Sequence, residues 1–180
     1  MAAPLPFSED ERRLLCVLLK HKVRFMVVGL SAATLQGAPV VTQDVDLWFE
    51  NLGEPKISRA LQQVGAAYVP PSAINPPMLA GPGAELFDIV IRMDGLGEFA
   101  DEIRNCVEIP LDRHQLKVLS LERILASKLA ANRAKDKLAI PVLRDALAAA
   151  QMIKPRVRRK QKPTRPKNSP AKNASAAGRR

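Results

Sequence analysis

Apolar positions along this chain follow two periods, and the switches between them mark its elements. Ser8 with Glu11 three residues on is a capping-box pattern, and Leu14, Leu15, Val17, Leu18 and Leu19 continue it as a core-facing helix to about Lys20. Arg24 to Val28 reads as a buried strand ending at Gly29. Ser31 to Leu35 reads as a short helix closed by Gly37 and Pro39, and Val45 to Phe49 as a second strand. Pro55 takes the favoured first position of a helix predicted to reach Val64. Pro70, Pro71, Pro76, Pro77 and Pro82 make 70–83 a loop or flap, of a length that often borders a functional site. Leu86 to Arg92 is the next strand, followed by a helix over Leu96 to Arg104 and a short strand over Val107 to Ile109. Leu116 to Leu119 ends at Ser120, which can cap a helix over Leu121 to Asn132, and a last helix spans about Ala134 to Met152. Strands and helices interleave without internal repeats, which predicts a mixed α/β (α+β) domain, a small mixed sheet flanked by helices.

Charge divides the chain in two. The net charge is +10 over 180 residues, but eleven of the 28 Lys and Arg lie in 154–180, where there is no Asp or Glu. Residues 1–153 therefore hold 17 basic and 18 acidic side chains and are near neutral. The expectation is one folded domain over 1–153 and a disordered basic tail over 154–180, proline-bearing and without a helical period. Two readings of the tail stand side by side: a salt-sensitive anchor for nucleic-acid phosphates, or a solubilising extension. An apolar content of 47% excludes a wholly disordered protein. No uncharged apolar run is long enough to span a bilayer, and the N-terminus lacks the pattern of a signal peptide. Cys16 and Cys106 form no metal-like spacing with His21 or His114 and read as small apolar core residues, so a cytoplasmic, reducing location with no membrane contact is expected.

Chemistry concentrates between Phe25 and Phe49. Asp44 and Asp46 stand two residues apart on one strand, so their carboxylates project to the same side. Such a pair repels itself unless a cation intervenes, and hard oxygen ligands suit Mg²⁺ (or Mn²⁺) that shares its shell with substrate phosphate. In LFDIVIR, Phe87, Ile89 and Ile91 share one face, and Asp88 shares the other with Leu86, Val90 and Arg92. A carboxylate amid that much apolar surface needs a compensating partner. With its strand beside that of Asp44 and Asp46, three carboxylates could converge on a nucleoside triphosphate, the third also serving as base. Gly29 would admit the phosphates close to the backbone. Each element alone is common in structural roles; their order and spacing carry the reading. Trp48 reads as core rather than as a stacking platform.

Gly29, Gly37, Thr42-Gln43-Asp44-Val45-Asp46-Leu47 and Phe87-Asp88-Ile89-Val90 together resemble the DNA polymerase beta-like nucleotidyltransferase superfamily. Within it the chain looks similar to small bacterial nucleotidyltransferases of the abortive-infection toxin and minimal nucleotidyltransferase kind. The stretch Leu119 to Leu129 with Asn132-Arg133-Ala134-Lys135-Asp136 is similar to the segment that follows the core there, so the resemblance covers about Val23 to Leu147. It implies a nucleotidyltransferase fold and Mg²⁺-dependent transfer of a nucleoside monophosphate from a nucleoside triphosphate to a hydroxyl of a protein, RNA or small molecule. It also implies Asp44, Asp46 and Asp88 as metal-binding and catalytic residues, with Gly29, Ser31 and Thr42 lining the nucleotide. Lys128 is implied as a phosphate contact, against the alternative of a solvated helix lysine. Arg133, Lys135 and Asp136 equally suit an ion-paired turn between two helices. Leu30 and Val40 depart from the family's pattern at a glycine-turn position and at an arginine position. Both changes predict weaker phosphate binding, and they keep open an alternative: a catalytically degenerate module that binds a protein partner in a toxin–antitoxin-like pair.

Overall fold

The structure, a computed structural model, describes residues 7–153. The predicted basic tail lies outside the described residues. Helix α1 (Glu9–Lys20) opens on the expected capping box: Glu11 N–H donates to Ser8 Oγ (3.3 Å) and Ser8 N–H to Glu11 Oε2 (2.8 Å). Strand β1 (Phe25–Val28) is buried at every position and runs straight into α2 (Gly29–Leu35); β2 (Val45–Phe49) and α3 (Pro55–Gln62) follow. Then come β3 (Ala67–Val69), β4 (Met78–Ala80), β5 (Phe87–Val90), α4 (Phe99–Glu102) with a 3₁₀ turn (Ile103–Asn105), β6 (Cys106–Leu111), β7 (His114–Leu119), α5 (Leu121–Ala131) and α6 (Ala134–Ile153).

The seven strands form one mixed sheet in the order β3-β4-β5-β2-β1-β7-β6. β2 lies at its centre, parallel to β5 and antiparallel to β1, and β1 is in turn parallel to β7. Met26, Val27, Val28, Leu47, Leu116 and Leu119 are fully enclosed between this sheet and its helices. Trp48 belongs to that core, edge-on to Phe99 at 5.9 Å between ring centroids, as its place in an apolar strand predicts.

Three expectations are corrected. The 70–83 segment is not a loop throughout: Met78–Ala80 forms β4, which pairs with both β3 and β5. The helix expected from Leu96 to Arg104 shrinks to one turn and a 3₁₀ turn. The buried Glu102 carboxylate accepts the Gly97 N–H (3.0 Å) and meets the Arg123 guanidinium, which holds the segment before α4 in a non-helical path. Ser120 occupies the N-cap position of α5, but its side chain makes no capping bond; Gln36 Oε1 accepts the Leu121 N–H instead, at 3.2 Å.

Candidate active site

The site grows from the junction of β1 and α2. Val28 is in register with Asp46 on β2, so the chain leaves the sheet at Gly29 directly beside that aspartate. Gly29 has φ +66°, and a Cβ there would overlap the Asp46 carboxylate, so both backbone and space demand glycine. Ser31 ties the junction: its buried hydroxyl donates to the Val28 carbonyl at 3.0 Å and accepts the Asp46 N–H at 3.4 Å. On the other side of β2 the parallel register pairs Asp46 with Asp88, which puts both carboxylates on one face of the sheet. Asp44 sits one residue before β2 and is exposed, and Thr42 Oγ1 donates to its carbonyl at 3.2 Å.

The distribution of burial differs from the expectation. Asp88 is exposed, beside the exposed Met78 of β4, and is not enclosed by the apolar side chains of its strand. Asp46 is the desolvated carboxylate. Burial, then the charge of Asp88, push its pKa up to about 6, with Asp44 adding to the rise and Lys128 and Lys135 opposing it.

Asp46 opens on a cavity of about 240 Å³ that also exposes Gly29, Arg92, Lys128, Arg133 and Lys135. Lys128, on α5, is not simply solvated: its Nζ lies 2.8 Å from Asp136 Oδ1, and Asp136 is 1% exposed. Arg133 bridges Asp136 Oδ2 (3.1 Å from Nε) and Asp94 (2.7 Å from Nη2). The Arg133 contact is an ion pair without hydrogen-bond geometry, which leaves Asp136 Oδ2 with no hydrogen-bond partner. Burial alone would raise the Asp136 pKa, but the hydrogen bond and charge of Lys128, with Arg133, hold it below the ordinary carboxylate value. The turn between α5 and α6 is thus ion-paired, and Lys128 and Lys135 on either side of it act on the Asp46 carboxylate. Among the described residues Arg92 and Lys135 make no ion pair.

Sequence reading missed Arg92 and Asp94 as part of this cavity. Arg92 was visible on the Asp88 face of its strand, but only the fold brings α5 to that strand's end. Leu30 and Val40 line a groove with Leu138 and Val142 of α6 that shares Lys135 with the Asp46 cavity, and Leu30 is not among the residues lining that cavity.

Asp44, Asp46 and Asp88 offer only oxygen donors, the donor type that a hard divalent cation takes. Among the described residues, no three His, Cys, Asp or Glu side chains stand close enough, as arranged here, to hold a metal ion. No helix among the described residues is long and apolar enough to cross a membrane.

The seven-stranded mixed sheet with its flanking helices has the nucleotidyltransferase fold. The crystal structure of ANT(2'')-Ia in complex with adenylyl-2''-tobramycin superposes with a TM-score of 0.51 at 15% identity, over 77% of this chain and 88% of that one. An antigenic nucleotidyltransferase-like protein from Paracoccidioides brasiliensis aligns with a TM-score of 0.45 at 17% identity, over 83% and 91% of the two chains. No family model and no curated protein sequence matches the chain.

Proposed function

We propose that this protein is a metal-dependent nucleotidyltransferase that moves a nucleoside monophosphate from a nucleoside triphosphate to a hydroxyl. The observation that carries the reading is the Asp46 carboxylate, seated against Gly29, in register with Asp88, and facing a cavity with four cationic side chains. Arg92, Lys128, Arg133 and Lys135 supply the charge that a triphosphate requires, and Asp136 holds two of them in place. Asp44, Asp46 and Asp88 would hold Mg²⁺ or Mn²⁺, which offsets charge on the phosphates and the leaving pyrophosphate. In the transfer, the acceptor oxygen forms a bond to the α-phosphorus, the bond from that phosphorus to the bridging oxygen breaks, and pyrophosphate leaves. Asp88, exposed beside Asp46, accepts the hydroxyl proton.

Calorimetric titration of each nucleoside triphosphate, with Mg²⁺ and then with EDTA, tests the reading against Asp46→Asn. Binding that needs Mg²⁺ and disappears in Asp46→Asn, with an unchanged circular dichroism spectrum, is expected. Catalysis retained by that variant overturns the assignment. No binding of any triphosphate to the native chain turns the reading to the partner-binding module of a toxin–antitoxin-like pair, which the departures at Leu30 and Val40 support.

A further inference from the structure

The end of β5 forms an open shelf of about 620 Å³, lined by Ile89, Val90, Ile91, Arg92 and Asp94. Val90, Arg92 and Asp94 also line the Asp46 cavity, so the two spaces adjoin along shared side chains. Asp88 stands two residues before Val90 on the same face of the strand. Strand register sets Met78 of β4 directly opposite Asp88, with Val69 of β3 beyond it, so a row Val69, Met78, Asp88, Asp46 crosses one face of the sheet. A hydroxyl that yields its proton to Asp88 has to lie over β5, and whatever carries it then rests on Met78 and Val90. We infer that the acceptor is a protein, docked on this apolar end of β4 and β5 with a side-chain hydroxyl at Asp88. The inference rests on the nucleotidyltransferase reading and names the acceptor class for it.

Shape and chemistry favour a protein over the other acceptor classes. All of the shelf's lining comes from one stretch, 89–94, so it supports a ligand from one side and does not enclose it. A small molecule is bound instead in a concavity that takes most of its surface out of water. Ile91 is 67% exposed and Met78 42%, and apolar side chains grouped at a surface in this way suit a partner that brings its own apolar cover. Nucleic acid asks for different groups: aromatic side chains under its bases and a series of cations along its phosphates. Among the described residues the shelf has no aromatic side chain, and Arg92 is its only cation. Asp94 is already matched by Arg133 at 2.7 Å. Arg92 itself lies where shelf and cavity meet, on the side from which the acceptor approaches the phosphates. In the transfer the side-chain oxygen bonds to the α-phosphorus, the bond from that phosphorus to the bridging oxygen breaks, pyrophosphate leaves, and the hydroxyl proton passes to Asp88.

The test uses the full chain with Mg²⁺ and triphosphates labelled at the α-phosphate. The probes are capped peptides with a central serine, threonine or tyrosine between leucines, and a short oligoribonucleotide and an amino sugar are offered in parallel. Label should pass to a hydroxyl peptide, and not to the matching peptide with alanine at its centre, to the oligoribonucleotide or to the amino sugar. Met78→Gln and Ile91→Asn exchange apolar for polar side chains at exposed positions, where neither change burdens the core. Combined, they should raise the KM for the peptide by about tenfold and leave triphosphate affinity within about twofold. Absence of label on every peptide, or label on the oligoribonucleotide or amino sugar in its place, overturns the inference, while Mg²⁺-dependent triphosphate binding keeps the nucleotidyltransferase reading. An unchanged peptide KM in the double variant overturns it too, because the acceptor then docks elsewhere. Failure of every triphosphate to bind removes the transfer reading, and the acceptor assignment falls with it.

Discussion

Gly29 meets two independent demands, a positive φ and the space filled by the Asp46 carboxylate, and no other side chain satisfies both. Gly29→Ala should lower stability by more than about 1 kcal/mol, because the strained backbone and the displaced carboxylate act together. It should also abolish triphosphate binding; urea unfolding and calorimetry on the same sample check both effects. At this scale much of the site was legible. Gly29 and Asp46 could be found because a glycine after an apolar strand and a carboxylate inside one are local departures from pattern. Asp88 was found but its environment was misjudged: alternation tells which side chains share a face, not whether that face is covered. Asp136 was visible only as part of a charged turn. Its burial depends on how α6 packs against α5, which no local pattern encodes.

Gln36, the C-cap residue of α2, shows how one side chain joins elements. Its Nε2 donates to the carbonyls of Ala32 (2.9 Å) and Leu119 (2.8 Å), and its Oε1 accepts the Leu121 N–H. It therefore connects the helix that begins at Gly29 to the start of the helix that carries Lys128. Gln36→Ala leaves partly buried backbone groups unpaired and should cost about 1–3 kcal/mol in urea unfolding. Glu102 plays a similar part between α4 and α5. The hydrogen bond from Arg123, against the opposing effect of burial, holds its pKa below the ordinary 4.5. The folded state thus binds this proton more weakly than the unfolded one. The stabilisation is complete above pH 4.5 and is lost as pH falls through and below that value. Thermal midpoints measured from pH 7 downward should drop in that window, and more shallowly in Arg123→Gln. The longer elements were legible from period and caps. β3 and β4 were not, since three-residue strands beside prolines exist only through their pairing. Ser120 marked the start of α5 correctly, but the capping group comes from 85 residues away.

Over the whole molecule, charge is unevenly spread. The described residues, 7–153, are near neutral, and the eleven basic side chains of 154–180 follow them in the sequence. Removing 154–180 should abolish any salt-sensitive affinity for nucleic acid, measured by fluorescence anisotropy across a salt series, and leave triphosphate binding unchanged. Equal nucleic-acid affinity in the shortened chain would reject an anchoring role. The order of the strands bears on a different matter, the birth of the protein on the ribosome. β1 and β2 emerge early, but the neighbour that β1 needs on its open side is β7, at residues 114–119. Until then a fully apolar strand has one unpaired edge, of the kind that other chains can extend. Lys128 and Asp136 arrive later still, so a nascent chain cannot complete its cationic pocket before almost the whole domain has been synthesised.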